Sequence, residues 1–204
     1  MPEIKMIYNL NDWPEGHVGH LVPSKEVVEA FKDINNNCKI KNILEFGFNT
    51  GWSTFIILKT LENTNVTSIE IYRFDRAEIG SQKLKDLFPN RHDIIWDDSQ
   101  KLYHKVLQDT NILPLKEYDT AFIDGGHFPE ILDMDIKMCK FLGIKNFIFD
   151  DGDCPNILPA IKKHSDLKRI NNYPYTNIRK LKNNYFLKKS KGWQTGLQHY
   201  MIQE

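Results

Sequence analysis

The chain has 204 residues, with 27 basic and 27 acidic side chains and a formal net charge of zero. This length fits one domain with a full hydrophobic core, and the balanced charge excludes recruitment of nucleic acid or membrane by an overall electrostatic field. No apolar run approaches the ~20 residues that cross a bilayer, and residues 1–10 lack the pattern of a signal peptide. Three widely spaced cysteines favour neither a disulfide framework nor a zinc site. We therefore predict a soluble, cytoplasmic protein without membrane contact, and the sequence leaves its oligomeric state open.

The first stretch, residues 1–22, has little periodicity and predicts a loop-rich lead-in that folds over a site. Its histidines, His17 and His20, are either surface residues without a role, which is the commoner case, or substrate contacts. A helix is predicted to begin at Pro23-Ser24 and to end in residues 35–37, with apolar positions one turn apart.

The stretch Asn42–Thr54, with the sequence NILEFGFNTGWST, is typical of a strand, a tight turn and a helix start. An apolar run that carries Glu45 breaks at Gly47, and a second glycine follows at Gly51. Glycines allow close approaches that a side chain would block, and the amides at the helix start point at the same place. The pattern predicts either a plain strand-to-helix connection or a turn against which a flat or charged ligand lies.

The second predicted strand, residues 66–71, ends near an acid, Glu70. It lies about 20 residues past the glycine turn, where α/β folds place an acid that holds a ribose hydroxyl, although an ordinary strand-end carboxylate is the alternative. The third strand, residues 92–96, leads to Asp98 and Ser99, which either meet an adenine edge or cap the helix over residues 100–108. Between these strands, residues 75–88 predict a helix with an apolar face of Ile79, Leu84, Leu87 and Phe88.

The fourth strand, residues 117–124, ends in Asp124-Gly125-Gly126-His127, where two glycines expose the strand-end acid. A fifth strand over residues 145–149 leads directly to Asp150-Asp151-Gly152-Asp153. Three carboxylates in four residues repel one another unless solvent, hydrogen bonds or a cation compensates. The helix between these strands, residues 128–142, is predicted to pack Ile131, Leu132, Met138 and Phe141 inward.

The closing stretch, residues 166–204, predicts two strands that finish the sheet as an antiparallel hairpin. Basic and aromatic side chains alternate in it: Lys168, Arg169, Tyr173, Tyr175, Arg179, Lys180, Lys182, Tyr185, Phe186, Lys188, Lys189 and Lys191. Such a loop either holds phosphate or stacked bases or is a solvated edge protected by lysines, which is the commoner case.

Strands alternating with helices predict an α/β fold: a Rossmann-like, doubly wound, seven-stranded sheet with a C-terminal antiparallel hairpin. We predict one domain over residues 1–204, with a lead-in (1–22), an alternating core (23–165) and a closing hairpin (166–204). Ligands of such sheets bind beyond the carboxyl ends of the strands. The many acids predicted there suit a cationic ligand or a metal better than a pyrophosphate, which disfavours a dinucleotide.

At this point the residues resemble a known family, the class I S-adenosylmethionine-dependent methyltransferases. Within it, the chain resembles the small group in which E-x-G-x-x-x-G precedes W/Y-S-T and the fourth strand ends in D-G-G-H. The matching residues are Glu45, Gly47, Gly51, Trp52-Ser53-Thr54 and Asp124-Gly125-Gly126-His127, and the resemblance covers roughly residues 23–163. Phe48 departs from the small residue often found there, so its side chain must fit elsewhere.

The resemblance implies S-adenosyl-L-methionine as cofactor. It places Gly47, Asn49 and Gly51 against the methionine part, with the motif acid Glu45 in the same site. Glu70 would hold the ribose, and Asp98 with Ser99 would face the adenine.

Two catalytic routes stay open. In one, His127 is a general base assisted by Asp124; in the other, Asp124, Asp150 and Asp151 hold a magnesium ion that lowers the pKa of the acceptor hydroxyl. The paired aspartates resemble the metal-dependent sugar O-methyltransferases, which usually carry a further aspartate and tyrosine where this chain has Gly126 and His127.

The predicted function is O- or N-methylation of a small polar molecule such as a sugar or glycan precursor. Two alternatives are a cofactor-fold module for binding or assembly without transfer, and an RNA-modifying methyltransferase that uses the basic hairpin.

Overall fold

The computed structural model describes residue 21 and residues 24–114, 117–174 and 196–203. The helices are α1 (Lys25–Cys38), α2 (Trp52–Thr60), α3 (Asp75–Leu87), α4 (Ser99–Val106), α5 (Pro129–Phe141) and α6 (Leu158–Lys163). The strands are β1 (Asn42–Phe46), β2 (Asn65–Glu70), β3 (His92–Trp96), β4 (Thr120–Ile123), β5 (Asn146–Asp150), β6 (Leu167–Pro174) and β7 (Gly196–Ile202).

The sheet has seven strands in the order β3-β2-β1-β4-β5-β7-β6. Strands β1 to β5 are parallel, and β7 pairs antiparallel with both β5 and β6. The chain order reverses between β1 and β4, so the connections that leave these strands diverge and open a crevice at their carboxyl ends. The predicted Rossmann-like sheet with a C-terminal antiparallel pair of strands is confirmed.

Alternate residues of the strands belong to two hydrophobic layers, one on each face of the sheet. Ile43 of β1 packs with α1, α2 and α3, whereas its neighbour Leu44 packs with α4, α5 and α6. Both faces are therefore covered, as the near-continuous apolar strands require. None of the helices in the described ranges has the length and apolarity that a membrane crossing requires.

Three side chains that were predicted to face inward are exposed: Ile79, Leu87 and Phe141. Helix α3 buries small residues instead, because a Cβ atom on Gly80 would lie 2.2 Å from the carbonyl oxygen of Thr50. The α3 backbone thus packs directly against the turn after β1, and this close approach sets the buried face of the helix.

Two predicted segments fall largely outside the described residues. The lead-in, with His17 and His20, is one of them. The other comprises most of the basic and aromatic side chains of the closing hairpin: Tyr175, Arg179, Lys180, Lys182, Tyr185, Phe186, Lys188, Lys189 and Lys191.

Candidate active site

The carboxyl ends of β1, β2 and β4 open into one cavity of about 580 Å³. Predicted site residues from four separate chain segments line it: Gly47, Asn49, Glu70, Asp98, Ser99, Asp124 and His127. Glu45, Gly51, Asp150 and Asp151 are not among its lining residues. The crevice expected from the strand order is therefore where most of the predicted residues meet.

The turn after β1 has an unusual backbone conformation and lies close to the end of β4. Gly47, Asn49 and Gly51 have φ angles of 90°, 51° and 79°, which lie in the left-handed region that disfavours most side chains. A Cβ atom on Gly47 would lie 2.5 Å from the carbonyl oxygen of Asp124. Only glycine therefore lets the turn approach the end of β4, and this approach forms the floor of the cavity.

The large side chain of Phe48 fits this turn because it packs into the core, away from the cavity. Its side chain is 1 % exposed and points into the core, where it stacks on His92 at a centroid distance of 5.3 Å. The edge of the Phe48 ring leaves no room at Gly51, whose Cβ atom would lie 2.7 Å from Phe48 Cζ. Gly51 thus permits this packing, while the Phe48 backbone still lines the cavity.

Glu70 joins the end of β2 to the turn. Its Oε2 accepts hydrogen bonds from the backbone amides of Phe48 (3.0 Å) and Asn49 (2.8 Å), and its Oε1 accepts one from the amide of Tyr72 (3.0 Å). A carboxylate offers about four acceptor positions. Glu70 therefore positions the turn and keeps acceptor capacity for a ligand hydroxyl in the cavity.

Glu45 lies beneath the turn, in a buried network of hydroxyl groups. Its side chain is fully buried, and its oxygens accept hydrogen bonds from Ser53 (2.6 Å), Thr54 (2.5 Å) and Ser68 (2.5 Å). Burial raises the pKa of Glu45 to about 7, while the three hydroxyl groups act in the opposite direction. Glu45 thus ties β1 to α2 and β2, which fixes the turn from below.

Asp98 caps α4 and also lines the cavity. Its Oδ1 accepts a hydrogen bond from the backbone amide of Gln100 at 2.8 Å. This bond satisfies one of the free donors at the helix start. The capping role is therefore present, and it does not exclude a contact with a bound base.

A group of acids lies at the adjoining ends of β4 and β5. Burial raises the pKa of Asp124 well above its usual range, and the neighbouring carboxylates of Asp150 and Asp151 raise it further. His127 lies on the exposed loop before α5 and faces the same cavity. Among the described residues, no three acidic, histidine or cysteine side chains are arranged to hold a metal ion.

The lining residues that the sequence analysis missed include Tyr72, Phe128 and Asp135. Tyr72 and Phe128 are exposed aromatic residues at the cavity, and nothing in the sequence marks them. Asp135 did carry a signal, because it falls one helical turn after Leu132 and one before Cys139, on the buried face of α5.

Part of the chain matches a known type of domain. Residues 44–141 match a family model described as a methyltransferase domain. No curated protein sequence that was searched matches the chain.

Solved structures resemble the whole chain. One is an O-methyltransferase from Bacillus cereus in complex with SAH, with 12 % identity, a TM-score of 0.62, and coverage of 99 % of this chain and 88 % of that one. Another is the O-methyltransferase TomG from Streptomyces achromogenes, in complex with SAM, with 13 % identity, a TM-score of 0.62, and coverage of 99 % and 87 %. At such identities the likeness shows the fold. Residues 44–141, from β1 to α5, thus match a methyltransferase domain, and the chain has the fold of these solved methyltransferase structures.

Proposed function

We propose that this protein transfers a methyl group from S-adenosylmethionine to an oxygen, or less favourably a nitrogen, of a small polar molecule such as a sugar or glycan precursor. The observation that carries the proposal is the single cavity that joins the Gly47 turn, Glu70 and the loop from Asp124 to His127. One wall suits the cofactor, and the other presents acid and base groups to an acceptor.

The lining residues fit this cofactor. The Gly47 backbone lines the cavity and lies against the end of β4, where a side chain would clash, and Glu70 retains acceptor capacity for a ribose hydroxyl. No lysine or arginine is among the cavity residues described, whereas several carboxylates are. This charge favours a ligand with ammonium and sulfonium groups over a pyrophosphate.

The cofactor supplies an electrophilic methyl group when bound, so the protein has to align an acceptor and remove its proton. His127 is the group we assign to that proton, because its imidazole is exposed at the cavity and a neutral imidazole has one ring nitrogen that accepts a hydrogen bond. Asp124, three residues before it, is assigned a supporting role in orienting the loop and the acceptor. This route needs no covalent intermediate.

Magnesium is a separate prediction, to which we assign no step. Asp124, Asp150 and Asp151 influence one another electrostatically, yet the described side chains form no three-ligand metal group. Calorimetry with and without magnesium tests this prediction together with the cofactor.

The decisive experiment is titration of the protein with S-adenosylmethionine and S-adenosylhomocysteine by isothermal calorimetry. We expect nanomolar to micromolar dissociation constants, weakened in Glu70→Gln. In a screen of hydroxylated acceptors, His127→Ala should keep cofactor binding and lose turnover. His104→Ala is the matched control, because His104 is also exposed and does not line the cavity.

If the wild-type protein binds neither compound, the proposal is wrong. Binding without transfer to any acceptor would favour the module without catalysis. RNA binding that weakens with salt, and again when Lys188, Lys189 and Lys191 are neutralised, would favour the RNA-modifying alternative.

A further inference from the structure

A buried acid on α5 has no role in the function proposed above. Asp135 is 2 % exposed and lines the cavity, and its Oδ1 has no hydrogen-bond partner among the described residues. A buried acceptor without a donor costs stability, by about 1–3 kcal/mol in typical cases. An apolar residue would avoid that cost on this helix face, so a ligand donor is the natural partner for this oxygen.

The position of Asp135 in the fold shows which part of the cavity it lines. Helix α5 packs against α4, and the groups near the Asp135 carboxylate are Ser99 and Asp98, at the start of α4. These two residues follow β3, whereas Gly47 follows β1 and Glu70 ends β2. Along the sheet, Asp135 is therefore at the end of the cavity away from the Gly47 turn and beyond the ribose position.

Burial and charge at the Asp135 end of the cavity favour a ligand that donates a hydrogen bond. Burial raises the pKa of Asp135 to about 7, the Ser99 hydroxyl acts in the opposite direction as a hydrogen-bonding neighbour, and the Asp98 carboxylate raises it further. A ligand that donates a hydrogen bond would relieve both the desolvation and the repulsion. Adenine offers such a donor in its exocyclic amine, and an ionised carboxylate only accepts.

We infer that Asp135 determines base specificity: its Oδ1 accepts a hydrogen bond from the exocyclic amine of the adenine of the cofactor. The inference rests on the proposed function, since it requires the cofactor to bind in this cavity. Hypoxanthine carries a carbonyl oxygen in place of the amine, so the same carboxylate would repel it.

The test compares two ligands by calorimetry, S-adenosylhomocysteine and its deaminated form S-inosylhomocysteine, in which a carbonyl oxygen replaces the amine and the adjacent ring nitrogen, N1, carries a hydrogen. We expect the wild-type protein to bind the deaminated form about 10- to 100-fold more weakly, as for a lost hydrogen bond to a charged acceptor. In Asp135→Asn the ratio should fall to within about threefold, because an amide both accepts from the amine and donates to the carbonyl.

The ratio of the two dissociation constants separates recognition of the base from structural damage, because damage weakens the binding of both ligands alike. Asp133→Asn is the matched control: it lies on the same helix, pairs with Lys137 at 2.6 Å and does not line the cavity. It should keep the wild-type ratio.

Equal binding of the two ligands by the wild-type protein overturns the inference even if no variant folds, and leaves the proposed function intact. A ratio that persists in Asp135→Asn and collapses in Asp98→Asn overturns it in favour of Asp98. Failure of the wild-type protein to bind either ligand refutes the proposed function as well.

Discussion

Removal of the Glu70 carboxylate is expected to destabilise the turn after β1 and to weaken cofactor binding. Two amides that bond to it, those of Phe48 and Asn49, lie in a buried or half-buried turn. Each such donor, left without an acceptor, costs about 1–3 kcal/mol. The Tyr72 residue is exposed, so water replaces the lost acceptor of its amide. Glu70→Ala should therefore lower the free energy of unfolding by about 2–6 kcal/mol, the sum for two amides.

Glu70→Gln sharpens the test, because its amide oxygen still accepts from Phe48 and Asn49 while its NH2 group faces the donor of Tyr72. We expect it to cost less than half as much as Glu70→Ala. Urea denaturation gives both values, and hydrogen exchange of the Phe48 and Asn49 amides should accelerate most in the alanine variant. Glu78→Gln is the control, since the ion pair of Glu78 with Arg73 is exposed and such pairs contribute about 0–1 kcal/mol. An alanine variant as stable as this control, with unchanged exchange at both amides, would refute the reasoning.

Three further predictions concern packing and protonation. Gly47→Ala should cost about 1–3 kcal/mol more in urea denaturation than Gly143→Ala, because both have positive φ but a Cβ atom meets nothing within 4 Å at Gly143; equal costs would contradict the clash. Gly80→Ala should destabilise α3 by about 1–3 kcal/mol, although alanine normally stabilises a helix, because its Cβ atom meets the Thr50 carbonyl; a raised melting temperature would refute this. The folded-state pKa of Glu45, about 7, lies above its ordinary value of 4.5, so its contribution to stability is complete below pH 4.5 and lost as pH rises to 7. Glu45→Gln should thus gain about 3 kcal/mol on the wild-type protein across that window, and a difference independent of pH would show that the carboxyl does not titrate there.

The sequence predicted the sheet and the edge at which the cavity lies, because both depend on local patterns. Apolar strands that end in acids fixed the carboxyl edge, and glycines beside Glu45 and Asp124 marked the turns where the chain approaches itself. Parallel pairing then brings these ends together whatever the loops contain.

Orientation within helices was harder to predict, as α3 shows. Leu84 is buried as predicted, but two other large apolar residues, Ile79 and Leu87, point outward because Gly80 brings the backbone against the turn. A pattern that counts large apolar residues gives no weight to a glycine, although the glycine decides which face is inside. Asp135 was missed for a different reason: a charged residue is assigned to solvent by default, although its spacing from Leu132 and Cys139 places it on the buried face of α5.

Strand β7 has an interior place in the sheet, between β5 and β6, although it follows both along the chain. During synthesis, β5 keeps an open edge until residues 196–202 have been made, and β6 pairs with no other described strand. The sheet therefore cannot grow to completion strand by strand as the chain emerges, and its closure is one late event. Until then, the apolar edge of β5 is open to pairing with other chains, which makes the nascent protein more prone to aggregation than the finished fold.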